Sequence, residues 1–418
     1  MNPTDRDEHD GDRPPARRTV LRGAAAGVLG ATATASCAPD HAPAARRAAA
    51  TTPAFHGPHQ AGVLTPKQPH AAFVSFDVTA ANRAELAELL RTLTARLRSL
   101  TGGGAPDPVG ISAPPPDSGV LGPDVPADGL TATVGFGASL FDDRYGLASH
   151  RPRRLTPMET FPDDALDPAW CHGDLLLQLG ADHPDTVLHA LRDVARHTRG
   201  GMQVRWRIQG FDSPPRPSGT SRNLLGFKDG TANPDVTDPR ATNRLVWVGP
   251  GSGEPPWTTG GSYLAIRLIR MLVEFWDRVS VNEQERMFGR RKDTGAPLDG
   301  QDEHDVPRYA KDPSGDVIPL DSHIRRANPR TPGSEDTRPL RRGYNYDLGT
   351  SANGNLDMGL VFCAFQQDLD RQFQAVQRRL AGEPLTDYIS PFGGGYFFLP
   401  PGVRDRADWL GSGLLRSA

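Results

Sequence analysis

From His70 to Val78 the chain reads in strand fashion, with Phe73, Phe76 and Val78 among the apolar positions of a period-2 pattern. Asn82-Arg83-Ala84-Glu85 follows as a capping box, and behind it Leu86, Leu89, Leu90, Leu93 and Leu97 recur at helical spacing. A Gly- and Pro-rich stretch, Gly102 to Gly129, interrupts the pattern and predicts a long surface loop. Leu130 to Phe141 then reads as a strand carrying Gly135-Phe136-Gly137, and Asp174 to Gly180 as a short, continuously apolar one. Pro184 to His197 predicts a helix opened by proline, and Val204 to Phe211 alternates again. Strand–helix–strand followed by strand–helix–strand is the order of a ferredoxin-like α+β unit.

The second half repeats the plan. Gly261 to Leu268 reads as a strand, Leu272 to Met287 as mostly helical, Met358 to Phe365 as a strand, Asp368 to Leu380 as a helix and Gly393 to Leu399 as a closing strand. Leu175-Leu176-Leu177-Gln178-Leu179 parallels Leu360-Val361-Phe362-Cys363-Ala364-Phe365, each followed by a helix, as in a duplicated fold. The Pro/Ser-rich link Ser213 to Ser221 places a boundary between domains at 66–215 and 216–418. A long irregular stretch, Gly289 to Arg342, interrupts the second domain, and loops of that length inside a compact domain are usually functional.

A length of 418 residues agrees with two domains. The hydrophobic fraction of 37% is lowish, because 45 Gly and 40 Pro crowd the N-terminal tail and a few loops. A net charge of -3 gives no global attraction to nucleic acid or to an anionic membrane. Cys37, Cys171 and Cys363 form neither a disulfide framework nor a zinc spacing; Cys363 reads as a small core residue, and nothing requires it to pair with Cys171.

The N-terminus carries an address. Arg17-Arg18-Thr19-Val20-Leu21-Arg22 precedes an alanine-rich run, Gly23 to Ala35, with small residues behind it, the pattern of a twin-arginine export signal over residues 1–37. The run is well short of the ~20 residues that span a bilayer. Cleavage is expected after Ala33 or Ala35; Thr34-Ala35-Ser36-Cys37 is a poor lipobox, and a lipid anchor on Cys37 is the alternative. Residues 38–65, rich in Ala, Pro and His, predict a disordered tether. This address implies passage through the twin-arginine translocase to the periplasm, envelope or exterior.

Two segments carry chemistry. Gly226-Phe227-Lys228-Asp229-Gly230-Thr231-Ala232-Asn233-Pro234 sets one carboxylate between glycines, and Asp321-Ser322-His323-Ile324-Arg325-Arg326-Ala327-Asn328-Pro329-Arg330 sets one histidine ahead of several guanidinium groups. Alone, His323 would read as a surface or core histidine and Asp229 as a turn aspartate capping its own loop through Thr231 or Asn233. Together they suit a haem, with an axial ligand, an acid–base group and cations for the propionates. Cys-x-x-Cys-His, an Arg-x-x-x-His pair, a phosphate loop, a hydrolase triad and clustered metal ligands are not found in the sequence.

In order and content the two strings resemble the signature motifs of the dye-decolourising peroxidases, and the resemblance runs from about Gly62 onward. It implies an α+β fold of two ferredoxin-like domains, with one haem b per chain held mainly by the C-terminal domain. By resemblance His323 is the axial ligand of the iron, with its other ring nitrogen on a carboxylate, Asp387 before Asp368. Asp229 is the distal acid–base group, and Arg341, with Arg342 adjacent, the arginine that stabilises charge on the breaking O–O bond. Among Arg325, Arg326 and Arg330, the last is the expected propionate partner; Thr231 and Asn233 are expected to shape the distal loop. Tyr388 and Trp257 are candidate surface oxidation sites, although most such residues are packing. The activity implied is reduction of hydrogen peroxide with one-electron oxidation of an organic or protein reductant, such as dyes and phenols. The alternative is a deferrochelatase that removes iron from haem and leaves the porphyrin whole; a secreted haem- or metal-carrying protein without turnover is the reading from another class.

Overall fold

The computed structural model describes residues 52–418; the twin-arginine stretch, Cys37 and the tether up to residue 51 lie outside the described residues. The first half runs β1 (His70–Val78), α1 (Arg83–Gly102), β2 (Thr131–Gly137), β3 (Leu175–Ala181), α2 (Pro184–His197) and β4 (Met202–Phe211). All its pairings are antiparallel, in the order β2-β3-β1-β4 of a ferredoxin-like unit. Asn82 caps α1 as read, its Oδ1 accepting from the Glu85 amide at 3.0 Å, but the Glu85 carboxylate returns to the amide of Ala81 and not to that of the N-cap itself.

The second half contributes β5 (Ser262–Met271), β6 (Leu340–Arg341), β7 (Tyr344–Thr350), β8 (Leu356–Gln366) and β9 (Ile389–Leu399). The strands order as β7-β8-β5-β9, the same arrangement as the first half. β6 and β7 keep one register along β8, Arg341 opposite Ala364 and Tyr344 opposite Val361, so they are one strand interrupted at Arg342-Gly343. Short pairings join the halves: Phe136 and Gly137 of β2 meet Phe398 and Phe397 of β9, and Phe211 of β4 meets Asn345 of β7. With β5 also bonded to β8, the sheet closes on itself. One face buries Phe73, Trp206, Ile266, Tyr344, Phe365 and Phe397; the other buries the leucines of α1.

Three expectations change. The helix read over Leu272 to Met287 is two, Val273–Trp276 and Val281–Phe288, because Ser280 caps a fresh helix by accepting from the Glu283 amide. The helix read from Asp368 opens with a π-turn, Asp370–Gln374, before Ala375–Leu380. The part of the expected tether that is described is packed. Gln60 bonds to both backbone groups of Val134 and to the Pro400 carbonyl, and Val63 is fully buried. Cys171 and Cys363 are both free and buried.

Candidate active site

Alternation along the strands decides where the cavity lies. Arg267, Ile269 and Met271 of β5, Leu360 and Phe362 of β8, and Ile389 and Pro391 of β9 point to the same outer side. They form one wall of a cavity enclosing about 1640 Å³ of empty space including its open mouth. The long loops and short helices of the second half complete it, with Phe227, Phe288, Leu380 and Leu385 adding apolar surface. Both motif segments enter it.

His323 opens the helix His323–Ala327, and its ring lies 5.8 Å from that of Phe288. Its Nδ1 is 2.9 and 3.0 Å from the two carboxylate oxygens of Glu383, which is itself buried. Burial lowers the basicity of the imidazole, but the charge of Glu383 and its hydrogen bond more than restore it, so the ring sits above its ordinary value. A carboxylate on Nδ1 fixes the tautomer and leaves Nε2 for a metal. The partner is therefore neither Asp387, which is exposed, nor Asp368, which binds Arg154 at 2.7 Å and accepts from the Arg371 amide. Glu383 belongs to the same Pro-containing turn as Asp387, and only the turn's direction selects it.

Asp229 stands at the exit of a small hairpin. Its amide donates to the Ser221 carbonyl, and Asn223 Oδ1 accepts from the amides of Leu225 and Phe227 within the bend. Arg341 reaches Asp229 from β6, Nη1 to Oδ1 at 2.9 Å. Asn233 holds that arginine by its backbone: Oδ1 accepts from the Arg341 amide at 2.9 Å, and Nδ2 donates to its carbonyl at 2.7 Å. Arg342 is not interchangeable with it. It lies beside Tyr344, buried enough that its basicity falls. Thr231 turns its hydroxyl to Glu303 at 3.2 Å.

Of the three candidate propionate arginines, only the expected one, Arg330, lines the cavity. Arg325 is spent on Asp312 and the Ile318 carbonyl over the Tyr309 ring, and Arg326 on the Ala381 carbonyl. Arg330 sits at φ 57°, a left-handed conformation costly for a residue with a Cβ and common at functional sites. Two arginines missed in the sequence, Arg290 and Arg338, join it in the lining. Burial depresses the basicity of both, and the neighbouring cation Arg330 adds to the effect. Glu335 pairs with Arg330 and Arg338, yet Nε of each, and Nδ2 of Asn328, is buried without a protein partner. Crowded guanidinium groups with unmet donors suit an anionic ligand, and the apolar lining that they share with His323 suits a macrocycle bearing carboxylates. Trp257 is a core residue against Phe398, and Tyr388 packs edge-on to Trp276.

The chain belongs to the Dyp-type peroxidase family, a class of haem peroxidases built on this paired ferredoxin-like fold. Residues 60–212 match the family's N-terminal model and residues 220–404 its C-terminal one. It is 51% identical to the deferrochelatases of Shigella boydii and of Escherichia coli K12, over 98% of this chain and 99% of theirs. The DyP-type peroxidase of Cellulomonas bogoriensis superposes with a TM-score of 0.77 at 38% identity, covering 87% of this chain and 97% of that one. Ferric DtpA of Streptomyces lividans gives 0.78 at 37%, with the same coverage. The protein is thus a haem-dependent oxidoreductase acting on peroxide.

Proposed function

We propose that this enzyme reduces hydrogen peroxide at Asp229 and Arg341 and takes electrons from bulky organic reductants, with His323 holding the haem iron and Arg290, Arg330 and Arg338 the propionates. The observation that carries this reading is the 2.9 Å Asp229–Arg341 pair in one cavity with the His323–Glu383 pair. The bound haem supplies the redox centre. Asp229 takes the proton from the near oxygen of peroxide and returns it to the departing one. Arg341, a permanent cation with several donors, stabilises the negative charge that develops as the O–O bond breaks. Asn233 fixes where that cation stands. A second cleft, lined by Lys67, Asp212, Arg342 and Asn345, reaches Asp229 and Arg341 and offers a small polar solute a way in.

The names of the 51% identical relatives favour a second reading, release of iron from haem with the porphyrin intact. Product analysis separates the two. Peroxidation predicts peroxide-dependent dye or phenol oxidation with the haem conserved. Free fluorescent porphyrin accumulating in place of oxidised reductant would replace this reading by the other. Export rests on Arg17-Arg18 and the apolar run behind them. Among the described residues no helix is long and apolar enough to cross a membrane. Replacing both arginines with lysine should leave the protein in the cytoplasmic fraction; unchanged export would remove the twin-arginine route.

A further inference from the structure

We propose that Glu303 is the positioning residue of the distal acid, the point to which both limbs of the Asp229 hairpin are fastened. The inference rests on the role given to Asp229 above. Glu303 lies outside both motifs, in the long loop of the second half, and is 9% exposed. Its carboxylate accepts from the Thr220 amide at 3.2 Å and from the Thr220 hydroxyl on the incoming limb. On the outgoing limb it accepts from Thr231 Oγ1 and pairs with Lys228, so both neighbourhoods of Asp229 end on one side chain. Lys228 also donates to the Ser218 carbonyl at 2.8 Å. Residue 303 ties in the arginine rim as well: its carbonyl accepts from Arg290 Nη1 at 2.9 Å.

The surroundings are cut to admit this hub. Gly219, at φ 81°, would place a Cβ 2.7 Å from Lys228 Nζ, and Gly295, at φ 79°, would place one 2.6 Å from Lys228 Cδ. Burial by itself would raise the Glu303 carboxyl, but hydrogen bonds and charge from Lys228 and the Thr220 amide outweigh it and hold the group below its ordinary value. A buried ion pair is weak evidence for stability, because desolvation offsets attraction, and its better-attested use is to fix one arrangement among several. Here the arrangement fixed is the place of a carboxylate that must meet peroxide. Displacements near 1 Å at such a centre can cost about 100-fold in rate.

The test uses full-length holoenzyme and four variants, Glu303→Gln, Glu303→Asp, the double variant Lys228→Met with Glu303→Leu, and Asp229→Ala as reference. Four readouts are needed: haem content, thermal midpoint, the second-order rate with peroxide, and KM for the reductant. Glu303→Gln should keep haem and reductant KM yet lose at least roughly 10-fold in the peroxide rate. Glu303→Asp should recover part of that loss. The double variant removes both buried charges, so its midpoint should rise above that of Glu303→Gln while its peroxide rate stays low. A crystal structure of Glu303→Gln should show Asp229 and Arg341 out of hydrogen-bond contact. A peroxide rate that follows the thermal midpoint through the series, or stays at the wild-type value in Glu303→Gln, overturns the positioning role. Wild-type speed in Asp229→Ala instead removes the catalytic reading beneath it.

Discussion

His323→Ala is expected to give a folded protein that no longer retains haem. The imidazole is the one candidate metal ligand in the cavity whose second nitrogen is already committed, 2.9 Å from a buried carboxylate. Its loss removes no strand pairing and no member of the hydrophobic clusters, because His323 opens a five-residue helix that lines the cavity. The measurement is haem per chain by pyridine haemochrome, beside a circular dichroism melt that confirms folding. Full haem content would sink the ligand assignment. Glu383→Gln grades the same site: the amide can still orient the ring but no longer lends it negative charge. Haem transfer to an apo-protein scavenger should quicken by about 10- to 100-fold, the usual cost of losing such a partner. An unchanged transfer rate would show that Glu383 matters only to folding.

The second large effect belongs to Asp229 and Arg341. Asp229→Ala should keep haem and slow the reaction with peroxide by about 10²- to 10⁴-fold, the range of a positioned acid–base group. Arg341→Ala should cost about 10²- to 10³-fold through lost charge stabilisation. The two losses should not multiply, because the side chains bond to each other and each single change also disturbs the partner. Stopped-flow spectroscopy with peroxide on both single variants and the double reads all three numbers. Multiplicative losses would mean that the two groups act independently, and full speed in either single variant would remove that residue's role.

Most of the fold was legible because period-2 and helical patterns survive wherever one face is buried, as in β4 and α1. β6 and β7 were not legible. Leu340 to Thr350 carries Arg, Asn, Asp and Gly at positions that only its partner β8 makes strand-like. The motif residues His323, Asp229 and Arg330 meet in one cavity because each sits in a short string whose local geometry travels with it; Arg341 joins them through Asp229, and Asn233 holds Arg341 by its backbone. Glu383, Arg290, Arg338 and Glu303 lie outside those strings. Their placement depends on where a turn or loop returns in space, and no periodicity records that. Asp387 drew attention in place of Glu383 for the same reason: sequence locates the turn, but not which of its acids faces inward.

Every residue lining the cavity lies between Asn223 and Pro391, so the groups that would grip haem are all supplied by the later part of the chain. Yet β7 and β9 meet β4 and β2 along two short seams. Severed between residues 212 and 220, each fragment would bare unpaired backbone along its outermost strands, an invitation to aggregate. A stand-alone C-terminal fragment is therefore expected to retain less haem per chain than the whole polypeptide although it supplies every residue of the cavity lining, and equal haem content would refute this. On that expectation haem retention belongs to the whole polypeptide, with the earlier half covering the ends of β7 and β9.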